Sequence, residues 1–248
     1  MIHSKSKWCY THVIKIEVIK MDLQRKLNRV LNSASSLFIV PGFSETKMQD
    51  IAKGANLAVG TLYSMFKSKD DLLNFIFAAT LNSDFINGIR SLPLKIDPEN
   101  QLLIDTKAVY KAVYKAETKN MALILNQTDN DAAFEEMINY LFKTFNRYGA
   151  YFLILERNPQ MNPQLLTLYR KYRKELYQNI ATFLADLQVH NKIRRLKNPE
   201  YDSIIIIDQI FWWSAHKRFD SFDRKNSDLD LLQFQTIVTD HLVKGFEP

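Results

Sequence analysis

The chain has 248 residues and a formal charge of +6, with 6 Gly, 7 Pro and 1 Cys set against 16 Phe, 11 Tyr and 3 Trp. The length supports a sizeable core, lone Cys9 excludes an intrachain disulfide framework, and neither a membrane-spanning apolar run nor a signal-peptide h-region is present. Few turn formers and many large apolar side chains predict an all-α, cytoplasmic globular protein.

The charge is unevenly spread. Residues 1–90 hold 12 Lys+Arg against 7 Asp+Glu, whereas residues 91–248 hold 21 against 20. A basic head on a near-neutral body fits polyanion binding, and it equally fits many proteins that bind no nucleic acid.

Residues 1–20 carry four lysines against one glutamate and do not continue the helical pattern that follows. Two readings are open: a flexible basic arm that adds phosphate contacts, or a stretch lying upstream of a true beginning at Met21. From Met21 the apolar residues Leu23, Leu27, Val30, Leu31, Ala34, Leu37 and Phe38 recur at the helix period, and Pro41-Gly42 ends it. Thr46-Lys47-Met48-Gln49 has the form of a capping box. Ser68-Lys69-Asp70-Asp71 forms another and opens a helix that runs through Leu72, Phe75, Ile76 and Leu81 toward Ile89. Residues 92–100 read as a linker.

Further helices are predicted over 101–118 and 131–147, then a short apolar one over 148–156 ended by Asn158-Pro159. After Pro163, the residues Leu165, Tyr169, Tyr172, Leu176, Ile180, Phe183 and Leu187 step by three or four, which predicts one helix of about seven turns. Pro199 precedes a helix over 201–218. Its run Ile204–Ile207 reads as buried helix, since no turn residue intervenes before Trp213. Asp228-Leu229 opens a last helix to about Phe246.

Residues 46–69 have the spacing of a helix-turn-helix. Ala52 supplies the small residue where two helices cross steeply, Ile51, Ala55, Leu57 and Leu62 make a miniature core, and Asn56 tolerates the left-handed backbone of the turn. Over about residues 24–80 the chain resembles the TetR family of bacterial transcriptional regulators. The resemblance is carried by Ala34-Ser35-Ser36-Leu37-Phe38, Gly42-Phe43, Asp50-Ile51-Ala52 and Gly60-Thr61-Leu62-Tyr63, with Phe66, Lys69 and Leu72 following in step. Departures are Asn56 where the family usually has Gly, Ala58 where a capping Ser is common, and Met65 where His or Tyr is frequent.

With residues 1–20 set apart as an arm by their composition, the resemblance implies a helix-turn-helix domain over 21–68 and a helical ligand-binding and dimerisation domain over 69–248. It puts a recognition helix, about 58–65, in the major groove, with Val59, Gly60, Thr61, Ser64 and Met65 toward the bases. It also implies Thr46, Tyr63 and Lys69 as phosphate contacts. Chemically, Gly60 allows close approach, Val59 and Met65 suit thymine methyl groups, and the Thr61 and Ser64 hydroxyls donate or accept; Lys67 reaches the base edge or the backbone. No Arg or Lys stands at the groove positions for bidentate guanine reading, so DNA shape and dimer spacing are expected to add much of the discrimination.

In the family the divergent C-terminal helices bind an effector and form the dimer. Aromatic residues and polar tips at Tyr110, Tyr114, Tyr148, Phe152, Tyr169, Tyr172, Tyr177, Trp212, Trp213 and His216 are the pocket candidates, although ordinary core or interface is the stronger reading of each one singly. Ile204, Ile207, Phe211, Ala215, Leu231, Val238, Leu242 and Phe246 are the candidates for a two-fold four-helix interface or for core. No metal or cofactor is expected: the histidines are isolated, Cys9 and His12 lack further ligands, and there is neither a Gly-rich phosphate loop nor a Gly-x-Ser-x-Gly elbow. The sequence therefore predicts no enzyme. It predicts a homodimeric, sequence-specific DNA-binding regulator, a repressor released from a palindromic operator by a small molecule. The alternatives are a DNA-binding adaptor whose body holds a protein partner, and a helical enzyme or lipid carrier with a vestigial head.

Overall fold

The computed structural model describes residues 3–82, 84–89, 92, 112, 115–116, 119–124, 131–161, 163–219 and 230–248, with the backbone alone for 3–17 and 19. The linker at 93–100, most of the helix expected at 101–118 and the start signal Asp228-Leu229 lie outside these residues. Among the described residues there is no strand. The chain divides into two compact units, Met1–Leu102 and Leu103–Pro248.

The first unit is built on α1 (His3–Leu37), which contacts α2 (Met48–Gly54), α4 (Lys69–Leu81) and α5 (Phe85–Gly88), while α3 (Val59–Met65) packs on α2. Helix α1 begins at His3, so the backbone of residues 3–20 is helical where the side-chain pattern set it apart. No Gly or Pro interrupts residues 3–37, and an apolar stripe is not required to continue a helix once it is nucleated. Leu27, Val30, Ala34 and Phe38 recur every three or four residues, and all are fully buried. A π-type turn at Phe38–Gly42 ends the helix, with Gly42 at φ 121°, a conformation that favours glycine.

At the turn between α2 and α3, Asn56 adopts φ 52°, the left-handed backbone its side chain tolerates. Ile51, Ala52, Ala55 and Leu62 form the miniature core, none more than 1% exposed. Gly54 lets α2 close on α1, because an added Cβ would collide with the Ser33 hydroxyl, which itself donates to the Ile51 carbonyl at 3.0 Å. Helix α4 opens on the expected cap: Ser68 Oγ accepts from the Asp71 amide at 3.0 Å, and the Ser68 amide donates to Asp71 Oδ2 at 3.1 Å. It stops at Leu81, short of Ile89, because Asn82 turns extended and its Oδ1 takes the Asp84 amide at 3.0 Å, a local bond that competes with the helix.

The second unit centres on α8 (Pro199–Ser214), which packs against α6 (Ala133–Arg157), α7 (Pro163–Val189) and α9 (Leu231–Phe246). This packing buries Ile206 and Ile207, whereas Ile204 and Ile205, expected as part of a buried run, stand exposed on the remaining face of the helix. Asn198 caps α8 by accepting from the Glu200 amide at 3.0 Å, with Pro199 at the first helical position, and Asp230 caps α9 by accepting from the Leu232 amide at 2.9 Å. Helix α7 is the long helix its period predicted. Helix α6 differs from expectation: it is one helix through Tyr148, not two.

Gly149 lies inside this continuous helix. Its missing side chain admits the end of α8, since an ideal Cβ there would lie 2.5 Å from the Ala215 Cβ. Gly149→Ala must push α6 and the α8 terminus apart, and should lower the unfolding free energy by about 1–3 kcal/mol in a denaturant titration, despite alanine's better helix propensity.

Candidate functional site

Helix α3 has two opposite faces. Leu62, Met65 and Phe66 point inward, none more than 1% exposed, and Phe66 packs its ring 5.0 Å from that of Phe75 on α4. Gly60, Tyr63 and Ser64 occupy the outward positions i, i+3 and i+4 and are exposed, with Val59 and Thr61 half-buried at the margin; Lys67, also exposed, lies beyond the helix end, where Phe66 is extended. The expectation that Met65 meets the bases is corrected here: it belongs to the core of the head. Ser64 Oγ donates to the Thr61 carbonyl at 2.7 Å, which leaves the oxygen's lone pairs outward.

Gly60 is exceptional on this face. An added Cβ would meet nothing within 4 Å, so the fold itself gives no reason to leave the side chain out. A glycine there lowers helix propensity by about 1 kcal/mol relative to alanine. What the missing side chain does provide is close approach to the helix backbone from outside.

Thr46 and Lys69 are placed otherwise than as free phosphate ligands. Thr46 is 2% exposed, and its hydroxyl donates toward the carbonyls of Gly42 at 2.7 Å and Leu37 at 2.9 Å. The cap of α2 falls one residue later than the expected box: Lys47 is the N-cap, and its amide donates to Asp50 Oδ2 at 3.3 Å, with Gln49 exposed. Lys69 Nζ donates to the carbonyls of Phe43 at 2.6 Å and Thr46 at 3.0 Å and stands 4.4 Å from the centre of the Phe43 ring. This ammonium ties the loop before α2 to the first turn of α4. Lys47, the N-cap of α2, is exposed.

In the second unit, Phe152 of α6 stacks on Tyr169 and Tyr172 of α7, with ring centres 4.9 and 6.2 Å apart, and meets Phe211 of α8 edge-on at 6.2 Å. Tyr148 lies buried beside Phe152. His216 stacks on the exposed Trp212 with centres 5.4 Å apart, while Trp213 turns away to stack on Phe234 of α9. Tyr110 and Tyr114 lie outside the described residues. The crevice among Phe145, Phe152, Tyr169, Tyr172 and Phe211 holds a cavity of about 10 Å³, room for a single water.

Beside this crevice runs a polar network. Tyr169 Oη donates to Glu156 Oε1 at 2.5 Å, Arg173 donates to Glu156 at 2.7 Å and to Asp208 at 2.8 Å, and Tyr177 Oη also reaches Asp208 at 3.0 Å. His216 Nε2 stands 3.7 Å from Glu156 Oε2. Burial alone would raise the Glu156 carboxyl, but His216, the Tyr169 hydroxyl and the Arg173 guanidinium outweigh it and hold the carboxyl below the usual glutamate range. Burial, and then the Glu156 charge, push the Tyr169 phenol upward, so it remains a neutral donor. Among the described residues, no three His, Cys, Asp or Glu side chains converge as a metal site.

The interface candidates divide sharply. Ile207, Phe211, Ala215, Val238, Leu242 and Phe246 are buried within this chain, as the core alternative of their reading has it; Leu231 is half-buried and Ile204 is 37% exposed. Tyr201, Ile205 and Trp212 on α8, with Leu232 and Ile237 on α9, are the large apolar side chains left outside.

Two outcomes follow from these contacts. Lys69→Met keeps the stem and removes the ammonium, and should cost the head about 1–2 kcal/mol in thermal unfolding while leaving the salt dependence of DNA binding unchanged. For Glu156, a depressed folded-state pKa means stabilisation that is complete above the unfolded value and is lost as pH falls through the folded one. Between about pH 5 and pH 3, wild type should lose stability more steeply than Glu156→Gln, read as the melting temperature against pH.

Residues 30–76 match the model of the bacterial regulatory proteins of the tetR family. An HTH-type transcriptional regulator of Staphylococcus aureus (strain USA300) is 25% identical over a stretch covering 51% of this chain and 71% of that protein. The HTH-type regulator YhgD of Bacillus subtilis (strain 168) is 38% identical over 25% of this chain and 31% of its own length. Among solved structures, the regulator FadR of Bacillus subtilis in complex with stearoyl-CoA is 15% identical, covering 88% of this chain and 97% of that one, with a TM-score of 0.42. No helix among the described residues is long and apolar enough to cross a membrane. The matched segment contains the whole α2-turn-α3 pair with its outward face, so residues 30–76 carry a helix-turn-helix segment of the kind found in the tetR family of bacterial regulatory proteins.

Proposed function

We propose that the protein is a cytoplasmic, homodimeric repressor that binds a palindromic operator and leaves it when a small molecule enters the helical body. The head is residues 21–68, the body is 69–248, and residues 1–20 form a basic arm. The observation that carries the DNA reading is the outward face of α3, where Gly60 stands in open space beside Tyr63 and Ser64, with Lys67 exposed just past the helix end. The bare backbone at Gly60 fits close approach to base edges, with Val59 and Thr61 flanking it. The Tyr63 phenol, 50% exposed, suits a phosphate, and Lys67 and Lys47 supply charge on either side.

Dimerisation is assigned to the apolar residues left outside on α8 and α9: Tyr201, Ile204, Ile205 and Trp212, with Leu232 and Ile237. A seven-residue recognition helix gives little affinity alone, and two of them in a two-fold dimer read half-sites one helical turn apart. An effector acts only through its preference for one spacing of the two heads. A second reading is favoured by one observation: the aromatic crevice among the described residues of α6, α7 and α8 holds about one water, while α8 shows an apolar face, as expected of an adaptor that holds a protein partner. A monomer in solution at micromolar concentration would favour that reading.

The test is selection of bound duplexes from random DNA by the purified protein, with Tyr63→Ala as control. Recovery of a palindrome that the variant loses supports the repressor reading, and its failure with a folded dimer at moderate salt rejects sequence-specific binding. Lys67→Ala should lower the slope of log affinity against log salt by about one phosphate contact per head.

A further inference from the structure

The body carries a cation-binding arrangement that its own chain fills. The Arg173 guanidinium bridges Glu156 on α6 and Asp208 on α8, at 2.7 and 2.8 Å. Its central carbon lies 5.8, 5.4 and 5.9 Å from the ring centres of Tyr169, Tyr177 and Phe211. Carboxylates and aromatic faces are the two kinds of surface that hold a planar organic cation. Two carboxylates stand here against one permanent cation. An approaching anion meets that excess of like charge, and the guanidinium it would need already has both carboxylates as partners. A cation meets complementary charge and ring faces.

Space points the same way. The adjoining cavity of about 10 Å³ admits no organic ligand unless something leaves. The Arg173 side chain is 29% exposed and its partner Asp208 is 52% exposed, so this end of the network opens to solvent and the guanidinium is the part able to swing out. Its departure removes the side chain that bridges α6 and α8, while the Tyr169–Glu156 and Tyr177–Asp208 hydrogen bonds still hold both carboxylates on α7 for a ligand taking its place. Enclosure by Phe152 and Tyr172 favours a flat aromatic group attached to the cation.

We propose that this site binds aromatic amidinium or guanidinium compounds, which compete with the Arg173 guanidinium for Glu156 and Asp208. The regulatory consequence rests on the effector-responsive reading above; the binding site does not.

The experiment uses the full chain and calorimetric titration with three probes of one shape: benzamidine as the cation, benzamide as the neutral form and benzoate as the anion. Benzamidine should bind wild type and the two others should not. Arg173→Ala removes the internal competitor and should tighten benzamidine binding about tenfold or more, while Glu156→Gln weakens it. Should Arg173→Ala fail to fold, Arg173→Lys, which keeps the charge but loses the planar fork, should tighten binding severalfold. Benzoate binding as well as benzamidine, benzamidine binding unaffected by the position 173 and 156 variants, or no benzamidine binding to any form each overturns the proposal. Operator affinity is measured separately. Cation binding without a change in DNA affinity retains the site and rejects the effector-responsive reading, whereas intact DNA binding with no cation binding rejects the site alone.

Discussion

A seven-residue helix does not hold its own shape in water, and the geometry of the head follows from that constraint. Helix α3 must spend one face on packing, and Leu62, Met65 and Phe66 are that face. Only the opposite stripe is left for recognition, so the packing that folds the helix also decides which side chains can meet DNA. The same economy governs the loop before α2. Its carbonyls have no strand or helix to pair with, and they are satisfied by the Thr46 hydroxyl and the Lys69 ammonium. Two side chains with the chemistry of phosphate ligands thereby become the fasteners of the domain.

The body solves a different problem. Helix α8 is apolar on several sides and is surrounded by α6, α7 and α9, so the unit has a helical centre. Where α6, α7 and α8 meet near their polar margin, one guanidinium and two carboxylates join them. Interactions among partly buried charges are strong when all partners are present and costly when one is missing. A network of that kind gives the bundle a specific arrangement, and also a specific place at which the arrangement can change.

Much of this was legible in the sequence, because period and caps are local. The long α7, the Ser68 cap, the left-handed Asn56 and the helical reading of Ile204–Ile207 depend on residues a few positions apart. What was not legible depends on distant partners. A threonine before a helix matches a cap, and nothing nearby in the sequence reveals that the Leu37 carbonyl lies over it. An ammonium suits a phosphate and a carbonyl equally. Apolar periodicity marks the faces of α8 and α9 but does not say whether their cover is this chain or another copy, so Phe211 and Leu242 were assigned together with Ile204. Nor does anything near Gly149 in the sequence reveal that Ala215, 66 residues further along the chain, packs against it.

Gly60 has a consequence for how such a protein diversifies. Because the space around it is empty, the fold tolerates side chains of many sizes there, and the cost or benefit of each is felt at the surface that meets DNA. Met65, five residues on, has the reverse character: changes there disturb the core. Selection can therefore explore new operator preferences at position 60 without first repairing the stability of the head, and the helix carries its tunable and its fixed positions within two turns.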